Sequence, residues 1–381
     1  MDFAWTDEQI EQKNAAIRFA QKAARADISN RDRQEEFSRE AWHAYAEFGV
    51  LGLPFPDTYG GSGADIATAM LVMEGLGYGG NDNGLLFALN AQMWAVQHPI
   101  LTFGTDEQKR RYLPRLISGE WIGAHGMSEP ESGSDAFAMR MRATPCDGGY
   151  RLDGTKTFVT NAPVADVAVV FAVTAPEKKS WGISAFIIDR GTPGFSVGKN
   201  IEKMGLRTAT MGELIVQDCF VPTENRLGRE GIGAQIFSSS MEWERACILG
   251  SYIGVMERQL EECIEYARTR KQFGQAIGKF QSISNRVAEM KVRLESARLL
   301  LYKTAWLKKQ GKPAQLEAAM AKLYLSEVFV ASSMDALRIH GGYGYTTEFG
   351  IEREVRDAIG GTLYSGTSDI QRNIIARFLG L

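Results

Sequence analysis

The hydrophobic period of this chain changes twice along its 381 residues, and few folds accommodate that pattern. Up to about residue 120, apolar side chains recur at helical spacing: between Glu8 and Ile28, the residues Ile10, Ala16, Ile17, Ala20, Ala24 and Ile28 form one stripe. Thr105-Asp106-Glu107 reads as the capped, acidic first turn of a helix running toward Leu116. Gly60-Gly61-Ser62-Gly63 and the stretch from Gly79 to Gly84 read as loops. From about Trp121 to Arg226 the period falls to that of strands. Tyr150 to Thr160 alternates and carries a turn, while Val167 to Val173 and Gly182 to Ile188 are apolar runs of strand length. Beyond Gly231 long helical patterns return, over Ser240 to Arg268, Ser282 to Gln310 and Leu316 to Ile339, with Gly311-Lys312-Pro313 as a breaker. Helices of that length pack as a bundle. The expectation is an α+β chain: a helical domain over 1–120, a β domain over 121–230 and a helical bundle over 231–381.

Composition removes several classes of function. A net charge of -3 provides no basic field for nucleic acid. Cys146, Cys219, Cys247 and Cys263 lack CxxC spacing and only four histidines are present, so neither a disulfide framework nor a metal site is expected. Buried free thiols in a reducing cytosol fit better. The start, Met1 to Glu8, has the character of neither a signal peptide nor a transit peptide, which points to a cytoplasmic protein. No stretch approaches the roughly 20 apolar residues of a membrane span.

Several residues carry chemistry on their own terms. Glu242 and Glu244 flank Trp243, and in a helix they lie about 200° apart, so they cannot share a face. Taken alone, Glu244 reads as a surface acid or the buried partner of an arginine, Phe158 as a core aromatic, and Arg268-Thr269-Arg270-Lys271 as a solvated helix end. Gly341-Gly342-Tyr343-Gly344 lacks the strand-before, helix-after context of a dinucleotide loop.

In order along the chain stand Phe103-Gly104-Thr105-Asp106-Glu107-Gln108-Lys109 with Tyr112-Leu113-Pro114, Gly126-Met127-Ser128-Glu129-Pro130-Glu131-Ser132-Gly133-Ser134-Asp135, Arg268 to Gly274 with Ile277-Gly278 and Gln281, and His340 to Gly344. Together they resemble the acyl-CoA dehydrogenase family over essentially the whole chain. The resemblance implies that family's fold, ending in a four-helix bundle, and a homotetramer with FAD bound across a dimer contact. It implies Met127 and Phe158 as wall beside the flavin, Ser128 and Thr160 as hydroxyl or backbone partners, and Gly133-Ser134 as a point of close backbone approach. Arg270 is implied as the guanidinium for the pyrophosphate of a neighbouring subunit's FAD, with Phe273 nearby and Gly341-Gly342 beside the adenosine. The chain departs from the family at Phe158, where tryptophan is usual, at Arg338, where glutamine is usual, and at Asp369, after Gly366-Thr367, where glutamine is common.

The largest departure is Ser365, which stands where the family usually carries its catalytic glutamate. A serine without a partner base titrates far too high to remove an α-proton. The resemblance implies Glu244 instead, followed by Arg245, in the place used by the isovaleryl and long-chain branches, while residue 365 keeps the backbone N–H that helps hold a thioester oxygen. Ser239 to Cys247, Ala267 to Arg270 and Ser365 to Asp369 are most similar to the branch that oxidises prolyl groups on a peptidyl or acyl carrier protein in natural-product pathways. That implies a carrier protein as partner, with Arg140, Arg142 and Lys203 as basic residues for its acidic face. Two alternatives remain open: dehydrogenation of a short branched acyl-CoA, and a flavin monooxygenase of the same fold.

Overall fold

A computed structural model describes residues 4–23 and 28–381. Helices α1 (Asp7–Ala23), α2 (Ile28–Gln34), α3 (Arg39–Glu47), α4 (Ile66–Gly79), α5 (Asn83–Ala91), α6 (His98–Phe103) and α7 (Asp106–Ile117) precede the sheet. Thr105 caps α7 as its sequence demands, its hydroxyl accepting from Gln108 N while Gln108 returns a bond to the Thr105 N–H. The stripe anticipated over Glu8 to Ile28 is divided between α1 and α2, and Ala24 lies outside the described residues. The glycine loop narrows to Gly80–Asp82, because Gly79 closes α4 and Asn83 opens α5.

Eight strands follow: β1 (Gly123–Gly126), β2 (Arg142–Cys146), β3 (Gly149–Thr160), β4 (Val167–Val173), β5 (Ile183–Asp189), β6 (Phe195–Val197), β7 (Met211–Pro222) and β8 (Arg226–Leu227). Their order is β6-β7-β3-β2-β4-β5-β8, with β1 parallel to β4. Tyr150 to Thr160 contains no turn. It is one long strand whose register against β7 shifts between Leu152 and Gly154 and again between Lys156 and Val159; bulges supplied the irregularity that reads as a turn in sequence. The apolar runs make buried strands with two working faces. Val167, Val169 and Phe171 join the main helical core, while Ala168, Val170 and Ala172 pack into a second core with Leu152, Phe186 and Leu214.

After the sheet come α8 (Gly233–Cys247), α9 (Gly250–Thr269), a hairpin of β9 (Lys271–Gln272) and β10 (Gln275–Ala276), then α10 (Gln281–Lys309), α11 (Gln315–His340), α12 (Gly342–Tyr345), α13 (Ile351–Gly360) and α14 (Ser368–Phe378). The single helix expected over Ser240 to Arg268 is broken at Ile248-Leu249. Beyond the break α9 crosses α4 so closely that a Cβ on Gly254 would sit 1.9 Å from the Glu74 carbonyl oxygen, and one on Gly77 would sit 1.9 Å from that of Ser251. Only glycine permits that contact, so the crossing sets the direction of α9 independently of α8. Cys219, Cys247 and Cys263 are buried, but Cys146 is exposed because it ends β2 at the hairpin into β3. No helix is long and apolar enough to cross a membrane among the described residues.

A candidate acid–base site between the sheet and the bundle

Three consecutive residues of α8 part company. Glu242 pairs with Lys308 at 2.8 Å, and Trp243 lies between the Lys308 ammonium, 3.9 Å from its ring centre, and a stacked Trp94. Glu244 points inward and is 8 % exposed. Its Oε1 accepts from the Ser365 hydroxyl, and it has no ion pair among the described residues. It is therefore neither a surface acid nor the partner of an arginine. Burial pushes its carboxyl above the usual range, while the Ser365 hydroxyl and the charges of Arg245 and Lys322 pull it back. The result is a desolvated carboxyl held at one oxygen.

The segment that presents Ser365 is tightly fixed. Ser365 has φ +56° and Gly366 φ +89°, a left-handed pair that a serine adopts only at a cost of about 1–2 kcal/mol. Arg245 Nε donates to the Ser365 carbonyl at 2.9 Å. Lys322 Nζ donates to the Gly366 carbonyl at 2.7 Å, and Gln371 Nε2 to the same oxygen at 2.8 Å. Lys322 is fully buried, and burial, with Arg245 adding, pushes its ammonium down to about 7. Neither Lys322 nor Gln371 figures among the residues read from sequence. One signal was present: Lys322 is a charge inside the apolar stripe formed by Ala318, Ala319, Ala321 and Leu325.

The segments expected to face a flavin meet one another at the start of the sheet. Thr157 N donates to the Ser128 carbonyl at 2.9 Å, and Lys156 Nζ donates to both the Met127 carbonyl (3.1 Å) and Glu129 Oε1 (2.8 Å). Glu129 also accepts from Met141 N at 2.9 Å, so a buried ion pair braces the loop from Met127 to Ser134. Just before that loop, His125 stacks on Phe237 of α8 at 6.0 Å. Phe237 and Glu244 are seven residues apart and share a helix face. After Thr160, Asn161 Nδ2 reaches the Ala88 carbonyl at 3.3 Å, and neighbouring Phe87 packs on Tyr364 at 4.5 Å, beside Ser365. The residues just before Met127 and just after Thr160 are thus tied to α8 and, through α5, to the segment that carries Ser365.

Phe158 is not a core aromatic. It is 63 % exposed at φ +55°. A Cβ on Gly133 would meet nothing within 4 Å, and Ser134 is exposed. An uncovered ring held in a strained backbone, and a separate glycine with open space where a Cβ would stand, suit a planar aromatic group with a phosphate tail, so the residues present fit a flavin dinucleotide.

A second group lies at the far end of α9, a helix of 20 residues and hence about 30 Å long. There Arg270, Phe273, Gly341 and Gly342 line a cavity of about 640 Å³, with Arg270 over the Tyr343 ring at 5.6 Å. Phe273 is 94 % exposed at φ +50°, and Gly341 and Gly342 have open space where a Cβ would stand. The remaining expected residues are engaged locally. Arg338 pairs with Asp335 at 3.5 Å, Thr367 caps α14 by accepting from Ile370 N, and Asp369 pairs with Arg372 at 2.8 Å. Lys203 is not available as a basic surface residue, because its Nζ is half-buried and donates to the Ala209 carbonyl at 2.7 Å. Arg140 is exposed but tied to Glu131.

Residues 6–120 match the N-terminal domain of acyl-CoA dehydrogenases, 124–219 the middle domain and 231–380 the C-terminal domain. The chain belongs to the acyl-CoA dehydrogenase family. Within that family it is similar to the L-prolyl-[peptidyl-carrier protein] dehydrogenase of Pseudomonas fluorescens, with 48% identity over 382 residues and all of both chains covered. The Serratia enzyme of the same description is 42% identical over 381 residues, covering 100% of this chain and 99% of that one. Among solved structures, the prolyl acyl carrier protein oxidase AnaB superposes with a TM-score of 0.98 at 50% identity, covering 99% of this chain and 100% of that one. PigA with FAD and proline gives 0.98 at 42%, with both chains fully covered. The α+β architecture anticipated from the hydrophobic period is thus that of the acyl-CoA dehydrogenases.

Proposed function

We propose that this protein is an FAD-dependent dehydrogenase or oxidase that acts on a prolyl thioester carried by a peptidyl or acyl carrier protein. One observation carries the reading: a desolvated Glu244 carboxylate hydrogen-bonded to the small residue, Ser365, that replaces the family's usual base. Similarity over the full chain to two dehydrogenases named for that substrate supports it.

Glu244 takes the α-proton of the thioester; burial strengthens it as a base, and the Ser365 hydroxyl keeps it oriented. The Ser365 backbone N–H holds the thioester oxygen as negative charge develops there, and Arg245, Lys322 and Gln371 fix the turn that presents it by binding the carbonyls of Ser365 and Gly366 that follow it. Bound FAD supplies a two-electron acceptor for the hydride that leaves the neighbouring ring atom. Met127, Phe158 and Thr160 would form the wall beside its ring, and Ser128 and Gly133-Ser134 would offer it hydroxyl and backbone contacts. Arg270, Phe273 and Gly341-Gly342 serve the adenosine diphosphate half of FAD held by a neighbouring subunit, because about 30 Å of α9 separates them from Glu244 within one chain. Arg338, Thr367 and Asp369 complete the cofactor-binding set, and the protein is a homotetramer assembled from such two-subunit contacts, acting in the cytoplasm through three units over 1–120, 121–230 and 231–381.

Anaerobic mixing with prolyl-loaded carrier protein, prolyl-CoA and isovaleryl-CoA at matched concentrations tests the proposal. Rapid bleaching of the flavin by the carrier substrate is expected. A clear preference for either CoA ester refutes the carrier reading, and bleaching that survives loss of the Glu244 carboxylate refutes the base.

A further inference from the structure

We propose that the carrier protein docks through its acidic face on the loop between β4 and β5 and the adjoining edge of β2, and that its phosphopantetheine arm runs from there along α8 to Glu244. This rests on the carrier reading above and names the surface that reading requires.

The loop, Pro176–Gly182, carries Lys178 and Lys179, both exposed and without an ion pair among the described residues. Arg142, also exposed and unpaired among the described residues, stands directly across from Val173 in the parallel pairing of β2 with β4, three residues before the loop begins. Paired residues of neighbouring strands point to the same side of a sheet. Arg142 therefore emerges on the side of Val173 and Phe171, the face that packs on Phe237 of α8. Three cations share this rim with two acids, Glu177 and the exposed Asp153 that stands across from Arg142 on β3, leaving the rim net positive on a chain whose net charge is -3. Such a local reversal of sign suits an acidic partner.

Two further features mark the rim as a docking point. Trp181 is 71 % exposed, a large amphipathic side chain of the kind that anchors interfaces. Lys179 holds φ +53° although it is not glycine, a strained conformation of the sort found at ligand clamps.

The rim also opens onto the path to the carboxylate. A Cβ on Gly231, just ahead of α8, would lie 2.6 Å from the Trp181 carbonyl oxygen, so the loop sits against the N-terminal end of that helix. From Gly233 to Glu244 the helix rises about 17 Å at 1.5 Å per residue. Midway, exposed Phe137 meets Phe237 edge to face at 5.9 Å, on the helix face that Glu244 shares. An extended pantetheine arm is matched by that apolar run, with its acyl group at the carboxylate and its phosphate at the cations.

The test compares the wild type with the triple variant Arg142→Glu, Lys178→Glu, Lys179→Glu and with Trp181→Ala. Fluorescence anisotropy reads the binding of a phosphopantetheinylated carrier protein at low and moderate salt, and flavin reduction by prolyl-pantetheine reads the site without a carrier. Carrier affinity should fall at least about 10-fold in the triple variant, with a flattened salt dependence, while the carrier-free reduction stays at the wild-type rate. Equal carrier affinity in wild type and variants overturns this surface while leaving the carrier reading intact. Loss of the carrier-free rate in step with binding overturns it too, since the residues would then be structural. A wild type with no affinity for the carrier overturns both.

Discussion

Replacing Ser365 by alanine removes one hydrogen bond and little else. Alanine keeps the Cβ, so the left-handed backbone at φ +56° costs what it did before, and the carbonyls of residues 365 and 366 keep their donors from Arg245, Lys322 and Gln371. What disappears is the hydroxyl that donates to Glu244 Oε1. That bond stabilises the ionised carboxylate, and hydrogen bonds to charged groups contribute about 1.5–3 kcal/mol. At 1.36 kcal/mol per tenfold change in ionisation, the carboxylate becomes harder to form by about one to two pH units. The sign follows from the chemistry: Glu244 accepts a proton only when ionised, burial already holds its carboxyl high, and removing a group that lowers it moves it higher still. The acid limb of the pH profile for flavin reduction therefore moves up by about one to two units in Ser365→Ala, while the plateau above it is kept or raised because the base is stronger. Anaerobic stopped-flow reduction with a prolyl thioester, followed over the whole pH range in which the protein stays folded, reads both limb and plateau. An acid limb that stays in place or moves down refutes the argument, as does a collapsed plateau with the limb unmoved.

Glu244→Gln should retain FAD but reduce it about 10²-fold or more slowly, and near-normal single-turnover reduction would remove Glu244 from the mechanism. Arg270→Ala should lose FAD on gel filtration and show a lower Tm that excess FAD restores; an isolated monomer binding FAD as tightly as the oligomer would contradict the two-subunit site. Lys322→Met leaves the Gly366 carbonyl with Gln371 as its remaining side-chain donor and should cost about 1–3 kcal/mol in urea unfolding, so an unchanged midpoint would show that the lysine does not secure the Ser365 turn.

Much of the architecture was legible because it is local. The capping box of Thr105 and Gln108, the apolar run of β4 and the breaker at Gly311-Lys312-Pro313 each act within a few residues. The vacancy at Ser365 and the acid at Glu244 could likewise be named from the sequence, and the divergence of Glu242 from Glu244 followed from helical geometry alone. Phe158 was less tractable, since an aromatic in a strand reads as core until its neighbours are known; the positive φ that turns it outward is set by the bulged register of β3 on β7.

The sequence by itself determined the succession of helices and strands, the absence of a carboxylate at 365 and the presence of one at 244, because periodicity and residue identity are properties of the chain. Only the tertiary structure decided that these two residues, 121 apart, would share a hydrogen bond, and that Lys322 would cross 44 residues to hold the Ser365-Gly366 turn in place. It also decided that α9 would break from α8 at Ile248-Leu249, since the closeness of Gly254 to the Glu74 carbonyl belongs to two helices and to neither segment alone. A carboxyl's strength as a base depends on how much water the fold removes from around it, and no pattern along the chain records that.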